Sequence, residues 1–299
     1  MNLARFGLRR PPFPASPDVR SYVPLATHEA AATAVRRAHA GGAGLALVDG
    51  GSGSGKSFVA LRVVSDLADS HSCLVVPAAR FARPGDLFQA ILFDLGAEYR
   101  GLSETELRLA VTDRLLAGLA AGKPTVVVLD EAQHLSDDAI EEVRLLGNLA
   151  GPGAPAVFVL LVAQPVLRAR LGGAGLAAVA DRLGARSRLE PLDGEDSVRL
   201  VRGQLEAAGG EADELIDDEA AGLLAEHARG SPRLLGQAAA LAFALADEAE
   251  ADAVDAEAAL EAVTRLGLYD PATSHELGPG VLPLPAKPAV RRTRKRKSA

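Results

Sequence analysis

Tryptophan is missing from the 299 residues, and cysteine and methionine occur once each. A single thiol, Cys73, excludes an internal disulfide and a cysteine-based zinc site. The six histidines show no metal-ligand spacing. No apolar run reaches the ~18 residues of a membrane-spanning helix. The start, Met1-Asn2-Leu3-Ala4-Arg5-Phe6, lacks the apolar stretch of a secretory signal. These absences lead to the expectation of a cytoplasmic protein with no intrinsic membrane span. What is there, 48% hydrophobic and 24% charged residues, is ordinary for a globular chain. The length suits two modest domains, or one large domain with an appendage.

The net charge of −7 is unevenly placed. Residues 281–299 carry Lys287, Arg291, Arg292, Arg294, Lys295, Arg296 and Lys297 and no acid, which leaves −14 on residues 1–280. An acidic body with a basic end makes nucleic acid or an anionic surface a candidate partner.

The stretch that organises the chain is Gly50-Gly51-Ser52-Gly53-Ser54-Gly55-Lys56-Ser57, followed by Phe58. It stands between the apolar run Leu45-Ala46-Leu47-Val48 and a helical pattern from Phe58 to Leu67. A glycine-rich loop between strand and helix turns its N–H groups inward at phosphate oxygens, and the helix dipole favours the anion. Residues 50–58 are therefore candidate nucleotide-binding residues. Lys56 can reach the β- and γ-phosphates, and the Ser57 hydroxyl can ligate Mg²⁺.

Taken in order, residues 1–27 form a proline- and aromatic-rich arm, expected to lie on the core with Phe6, Leu8 and Phe13 as anchors. Thr27 is a candidate N-cap for a helix from His28 to about Ala40. Strands are expected at 44–48, 73–76, 125–129 and 157–162, and helices at 57–68, 86–95, 103–120 and 137–149. Ser103 with Glu106 forms a capping-box signature. Uninterrupted apolar strands alternating with helices predict a parallel sheet covered on both faces. A loop with short helices is expected to carry Arg168, Arg170, Arg182, Arg186 and Arg188. Past Pro191, residues 194–208, 217–229, 232–247 and 255–266 read as four helices of a small domain. The segmentation is thus an arm (1–27), a core (28–191), a helical lid (192–268) and a disordered basic tail (269–299).

The strand 125–129 runs into Asp130-Glu131-Ala132-Gln133. Open α/β sheets bind ligands at the carboxyl ends of their strands, so Asp130 is placed to hold the Mg²⁺ that Ser57 touches. Glu131 can polarise an attacking water. Gln164, at the end of the next strand, would sit beside that water. Arg182 and Arg186 are candidates for an arginine supplied to a neighbouring subunit. Arg233, in Gly230-Ser231-Pro232-Arg233, opens a lid helix and could reach the nucleotide from above.

With these residues assembled, the chain resembles the AAA+ ATPases of the ExeA secretion and TniB/MuB transposition kind. The likeness covers about residues 1–268. It rests on Phe6-Gly7-Leu8, Pro12-Phe13 and Pro17-Asp18, on the 50–57 loop and on Asp130-Glu131-Ala132-Gln133-His134-Leu135. Arg144-Leu145-Leu146-Gly147-Asn148-Leu149, Gln164-Pro165 and Gly230-x-Pro232-Arg233 complete it. The resemblance implies an α/β P-loop NTPase core with a parallel sheet and a small C-terminal all-helical lid, and an ATP-driven homo-oligomer, a ring or filament, with ATP and Mg²⁺ between core and lid. It assigns Gln164 to sensor 1, Arg233 to sensor 2 and Arg182 or Arg186 to the finger. Where relatives often carry Thr-Thr, this chain has Ser57-Phe58, which keeps the hydroxyl. ExeA itself continues into a membrane span and a peptidoglycan-binding domain that this sequence does not contain. Three functions stay open on the sequence: assembly or remodelling of an oligomer on DNA or protein, with the basic tail a candidate contact to duplex DNA; an envelope-assembly ATPase working through a secretion partner in the membrane; and a non-hydrolysing nucleotide-binding scaffold.

Overall fold

A computed structural model describes residues 1–269, apart from 78, 152 and 153. The expected basic tail lies outside the described residues. In chain order the elements are α1 (Ala26–Ala40), β1 (Leu45–Gly50), α2 (Lys56–Leu67), β2 (Ser72–Val76), α3 (Pro84–Asp94), α4 (Glu104–Ala120), β3 (Thr125–Leu129) and α5 (Asp137–Gly147). A small hairpin, β4 (Ala150–Gly151) with β5 (Ala154–Pro155), precedes β6 (Val157–Ala163), α6 (Pro165–Leu171), α7 (Ala177–Ala180) and β7 (Leu183–Leu189). Five helices follow: α8 (Gly194–Ala207), α9 (Ala212–Leu215), α10 (Asp218–Ala228), α11 (Pro232–Glu248) and α12 (Ala256–Arg265).

Five strands form a parallel sheet in the order β2-β3-β6-β1-β7. Side chains alternate between its faces. Leu45, Leu47, Val127, Leu129, Val157, Val159 and Leu161 pack with α3, α4 and α5 on one side. Ala46, Val48, Val126, Val128, Phe158, Leu160 and Val162 pack on the other, against Ala31, Ala32 and Val35 of α1 and Val59, Ala60 and Val63 of α2. Burial on both faces accounts for the apolar runs in β3 and β6. The chain therefore has the α/β fold with a parallel sheet and C-terminal helices that the sequence predicts.

The bundle holds a fifth, four-residue helix, α9, beyond the four expected, and three larger features also differ from the sequence expectations. Residues 183–189 are a strand, not a loop with short helices: β7 pairs along β1 at the sheet edge. Its alternation of Leu183, Ala185, Ser187 and Leu189 with Gly184, Arg186 and Arg188 is the period-two signal of a half-exposed edge. Helix α1 starts at Ala26 with Leu25 as its N-cap and no side-chain cap, so Thr27 is not the cap. Its hydroxyl lies 3.2 Å from His28 Nδ1 instead.

The third concerns the arm, whose anchors lie on the helical bundle rather than on the core. Phe6 and Leu8 are buried in the cluster built by α8, α10, α11 and α12, and Phe13 packs against it. The Phe6 and Phe13 rings stand 5.1 and 5.8 Å from that of Phe243 on α11. The Arg9 amide donates to the Ala208 carbonyl at 2.9 Å, and the Asn2 amide to Asp247 at 2.7 Å. These side chains satisfy a bundle whose own apolar face is broad, whereas both faces of the sheet are already covered.

Truncating Phe243, which is fully buried, should cost roughly 3–5 kcal/mol in urea unfolding, as expected for a buried aromatic cut to alanine. It should also speed protease cleavage within residues 1–18. Leu109→Ala, at an exposed leucine on α4, should stay within about 0.5 kcal/mol of the parent.

Candidate functional site

The carboxyl ends of β1, β3 and β6 lie along the same edge of the sheet, with Leu129 paired to Leu161 and Asp49 to Ala163. Their carboxyl ends open onto the loop 50–55. Gly53 and Gly55 adopt φ values of +76° and +87°, in the left-handed region that a side chain would strain. The Ser54 amide closes back to the Gly51 carbonyl at 3.3 Å. Among the described residues, the amides of Ser52, Gly53, Gly55, Lys56 and Ser57 have no backbone or side-chain acceptor. Lys56 opens α2 and is buried. Its ammonium donates to the carbonyls of Gly50 (3.0 Å) and Gly51 (2.7 Å). Burial pulls its pKa below the ordinary lysine value, opposed by the Glu131 and Asp130 carboxylates.

Ser57 Oγ donates to Asp130 Oδ2 at 2.7 Å, joining residues 73 apart in sequence. The other Asp130 oxygen accepts from the Glu131 amide at 2.8 Å. Glu131 has φ +56°, a left-handed backbone that is uncommon and strained for a side chain of this kind. Gln133 holds two neighbours at once. Its Nε2 donates to Glu131 Oε2, and its Oε1 accepts the Gln164 amide at 3.0 Å. Gln133 sits in a motif read from the sequence, yet its bridging role became visible only here. Nothing in the sequence singled out His28, which lies 3.0 Å from the Ser54 carbonyl.

Arg233 comes from the helical bundle. Its amide donates to the Gly53 carbonyl at 3.2 Å and its guanidinium to Ser52 Oγ at 3.2 Å. Phe58 lies in the first turn of α2, half-buried. Neither Arg182 nor Arg186 meets the loop. Arg182 precedes β7 at the opposite end of the sheet, since Leu183 pairs with Leu45 while Leu189 pairs with Gly50. Five residues of strand separate those levels, about 16 Å at 3.3 Å per residue. Arg186 faces outward and donates to the Ala180 carbonyl. Arg168 and Arg170, expected on a loop with short helices, lie on α6 and are both ion-paired. Arg168 binds Asp49 Oδ1 through Nε at 2.7 Å, and Arg170 binds Asp137 together with the carbonyls of Gln133 and Leu135.

The donor set fits a polyphosphate with a small hard cation. Free amides and an ammonium face the anion, and one hydroxyl with one carboxylate suits a metal that takes its remaining ligands from phosphate and water.

Residues 37–171 match the family model described as the AAA domain. The chain is 34% identical over 208 residues to the General secretion pathway protein A of Aeromonas hydrophila. The chain belongs to the AAA+ family. That alignment takes in 68% of this chain and 37% of the relative. The Mu-like prophage FluMu DNA transposition protein B of Haemophilus influenzae is 32% identical over 109 residues, 36% of each protein. The chain thus spans little more than a third of either relative's length. Among solved structures, the Aeropyrum pernix ORC2 protein superposes with a TM-score of 0.67 at 18% identity, covering 83% of this chain and 70% of that one. This last likeness is one of fold. The AAA+ assignment agrees with the ExeA and TniB/MuB resemblance carried by the sequence motifs.

Asp49 is fully buried at the end of β1, and its Oδ2 has no partner among the described residues. Arg168→Ala in this AAA+ core should therefore cost roughly 3 kcal/mol in urea unfolding, the low end for a broken buried pair, because Arg168 is about one-third exposed. Adding Asp49→Asn to that variant should recover most of the loss.

Proposed function

We propose that this AAA+ protein binds and hydrolyses Mg-ATP at a subunit interface and uses the cycle to assemble or remodel an oligomer on DNA or on a protein partner. The observation that carries the reading is the 2.7 Å contact of Ser57 with Asp130 beside a loop of unpartnered amides. Ser57 and Asp130 are the residues that would hold Mg²⁺, which when bound neutralises charge on the β- and γ-phosphates. Lys56 exchanges its two carbonyl partners for phosphate oxygens, and the cost of burying its charge falls as an anion arrives. Glu131 orients and polarises water, its carboxylate held by Gln133 and its backbone by Asp130. Gln164 is tied to the same bridge and reads the γ-phosphate side. Arg233 links phosphate occupancy to the helical bundle.

Arg182 is the better finger candidate. It is exposed, has no ion pair among the described residues and stands too far from its own loop to serve it. An arginine in that place can act only on another copy, which supports a homo-oligomer.

The charge distribution bears on the partner. Residues 1–193 hold 20 acidic and 20 basic side chains, and residues 194–269 hold 17 acidic and 5 basic. The acid excess therefore belongs to the helical bundle, and the core does not repel a polyanion as a whole. This favours DNA at the core face, assisted by the basic residues 287–297, with an affinity that falls steeply with salt. A secretion or envelope role through a membrane partner is the second reading. Its support is the longer alignment to General secretion pathway protein A; no described helix is long and apolar enough to cross a membrane.

Lys56→Ala should abolish binding of a fluorescent ATP analogue, measured by anisotropy. Glu131→Gln should retain binding and lower turnover by at least ~10²-fold, in line with loss of a general base; unchanged turnover would leave a non-hydrolysing scaffold. Arg182→Ala should lower turnover ~10³-fold with binding intact. Mixing it with the Lys56→Ala chain should restore part of the activity, since each variant supplies what the other lacks. Duplex DNA at low salt should stimulate the full chain more than one cut after residue 286. Turnover indifferent to DNA would move the weight to a protein partner.

A further inference from the structure

Helix α1 reaches the phosphate loop through the hydrogen bond of His28. His28 is buried on its first turn, with Nε2 3.0 Å from the Ser54 carbonyl oxygen and Nδ1 3.2 Å from Thr27 Oγ1. A carbonyl only accepts, so Nε2 carries the ring proton, and Nδ1 accepts from the threonine hydroxyl. No other donor reaches the Ser54 carbonyl among the described residues. The peptide joining Ser54 to Gly55 is trans and planar, so its C=O and N–H point in opposite directions. A carbonyl held at His28 therefore turns the Gly55 N–H away from α1, toward the open side of the loop.

The space is filled as well. A Cβ on Gly55 would lie 2.5 Å from His28 Nε2, so glycine at 55 and the imidazole at 28 occupy one volume. That glycine, at φ +87°, leaves the backbone free to rotate. Without the imidazole, the 54–55 peptide can flip and bring a carbonyl oxygen into the position where phosphate needs a donor.

We infer that His28 is a positioning residue of the phosphate site, which fixes the Ser54 carbonyl and so presents the Gly55 amide to the phosphate. The inference rests on the nucleotide-binding reading above and adds to it a residue outside the loop. Burial lowers the ring's pKa below the ordinary histidine value, opposed by the Ser54 bond and the carboxylates of Asp196 on α8 and Glu29 on α1.

The test titrates the full chain with a fluorescent ATP analogue and Mg²⁺, as wild type, His28→Gln and His28→Met. The two replacements are of similar size, and only glutamine can donate to Ser54. Methionine should weaken binding by ~10-fold, about the worth of one hydrogen bond. Glutamine should stay within about threefold of wild type, and thermal midpoints should differ little between the two. Methionine binding as well as wild type would overturn the assignment. So would glutamine as weak as methionine with an unchanged midpoint. Should neither variant fold, ring ¹⁵N spectra of the wild-type protein decide, with a proton on Nε2 expected and one on Nδ1 alone overturning it. Failure of the wild type itself to bind the analogue would instead remove the nucleotide reading, and this inference with it.

Discussion

The parallel register of β1, β6 and β3 places three chain segments at one edge of the sheet, and the site depends on it. β6 is the spacer: it pairs with both neighbours, setting Leu129 level with Leu161 and Asp49 level with Ala163. A one-residue slip in this register would exchange the side chains packed against α3, α4 and α5 for those packed against α1 and α2. The Ser57–Asp130 contact depends on that register.

Around that edge, polar groups are held by short bonds to their neighbours. Gln133 spans Glu131 and Gln164, Arg168 anchors Asp49 beneath the loop, and His28 supports the loop from α1. The left-handed backbone at Glu131 is the one strained non-glycine residue of this cluster. Strain of this kind, ~1–3 kcal/mol, persists where the surroundings over-determine the conformation. Here those surroundings are the bonds from Asp130 and Gln133.

The helical bundle meets the loop through Arg233, and the bundle is in turn laced to the N-terminal arm through Phe243. Arg233 and Phe243 lie on the same helix, α11, so the loop and the arm meet one element of the bundle. The 3₁₀ turn Val19–Ser21 lies between α2 and α8, so the arm touches both parts.

Local chemistry determined much of this protein in advance. Glycine spacing specified the loop, uninterrupted Val and Leu runs specified strands buried on both sides, and a strand ending in Asp-Glu specified the second half of the site. The capping box at Ser103 and Glu106 is present as its letters require. What tertiary structure decided involves partners distant in sequence. Edge strand β7 exists because β1 offers it hydrogen bonds, not because its mixture of glycine and arginine favours a strand. The arm's aromatic side chains found the bundle because the sheet had no apolar surface left to cover. Arginines that look alike along the chain were sorted by position: Arg168 neutralises a buried aspartate, Arg233 meets the loop, and Arg182 stands at the far end of the sheet. His28 carries no signal in the sequence, since a single histidine opening a helix acquires meaning only from the carbonyl it meets 26 residues away.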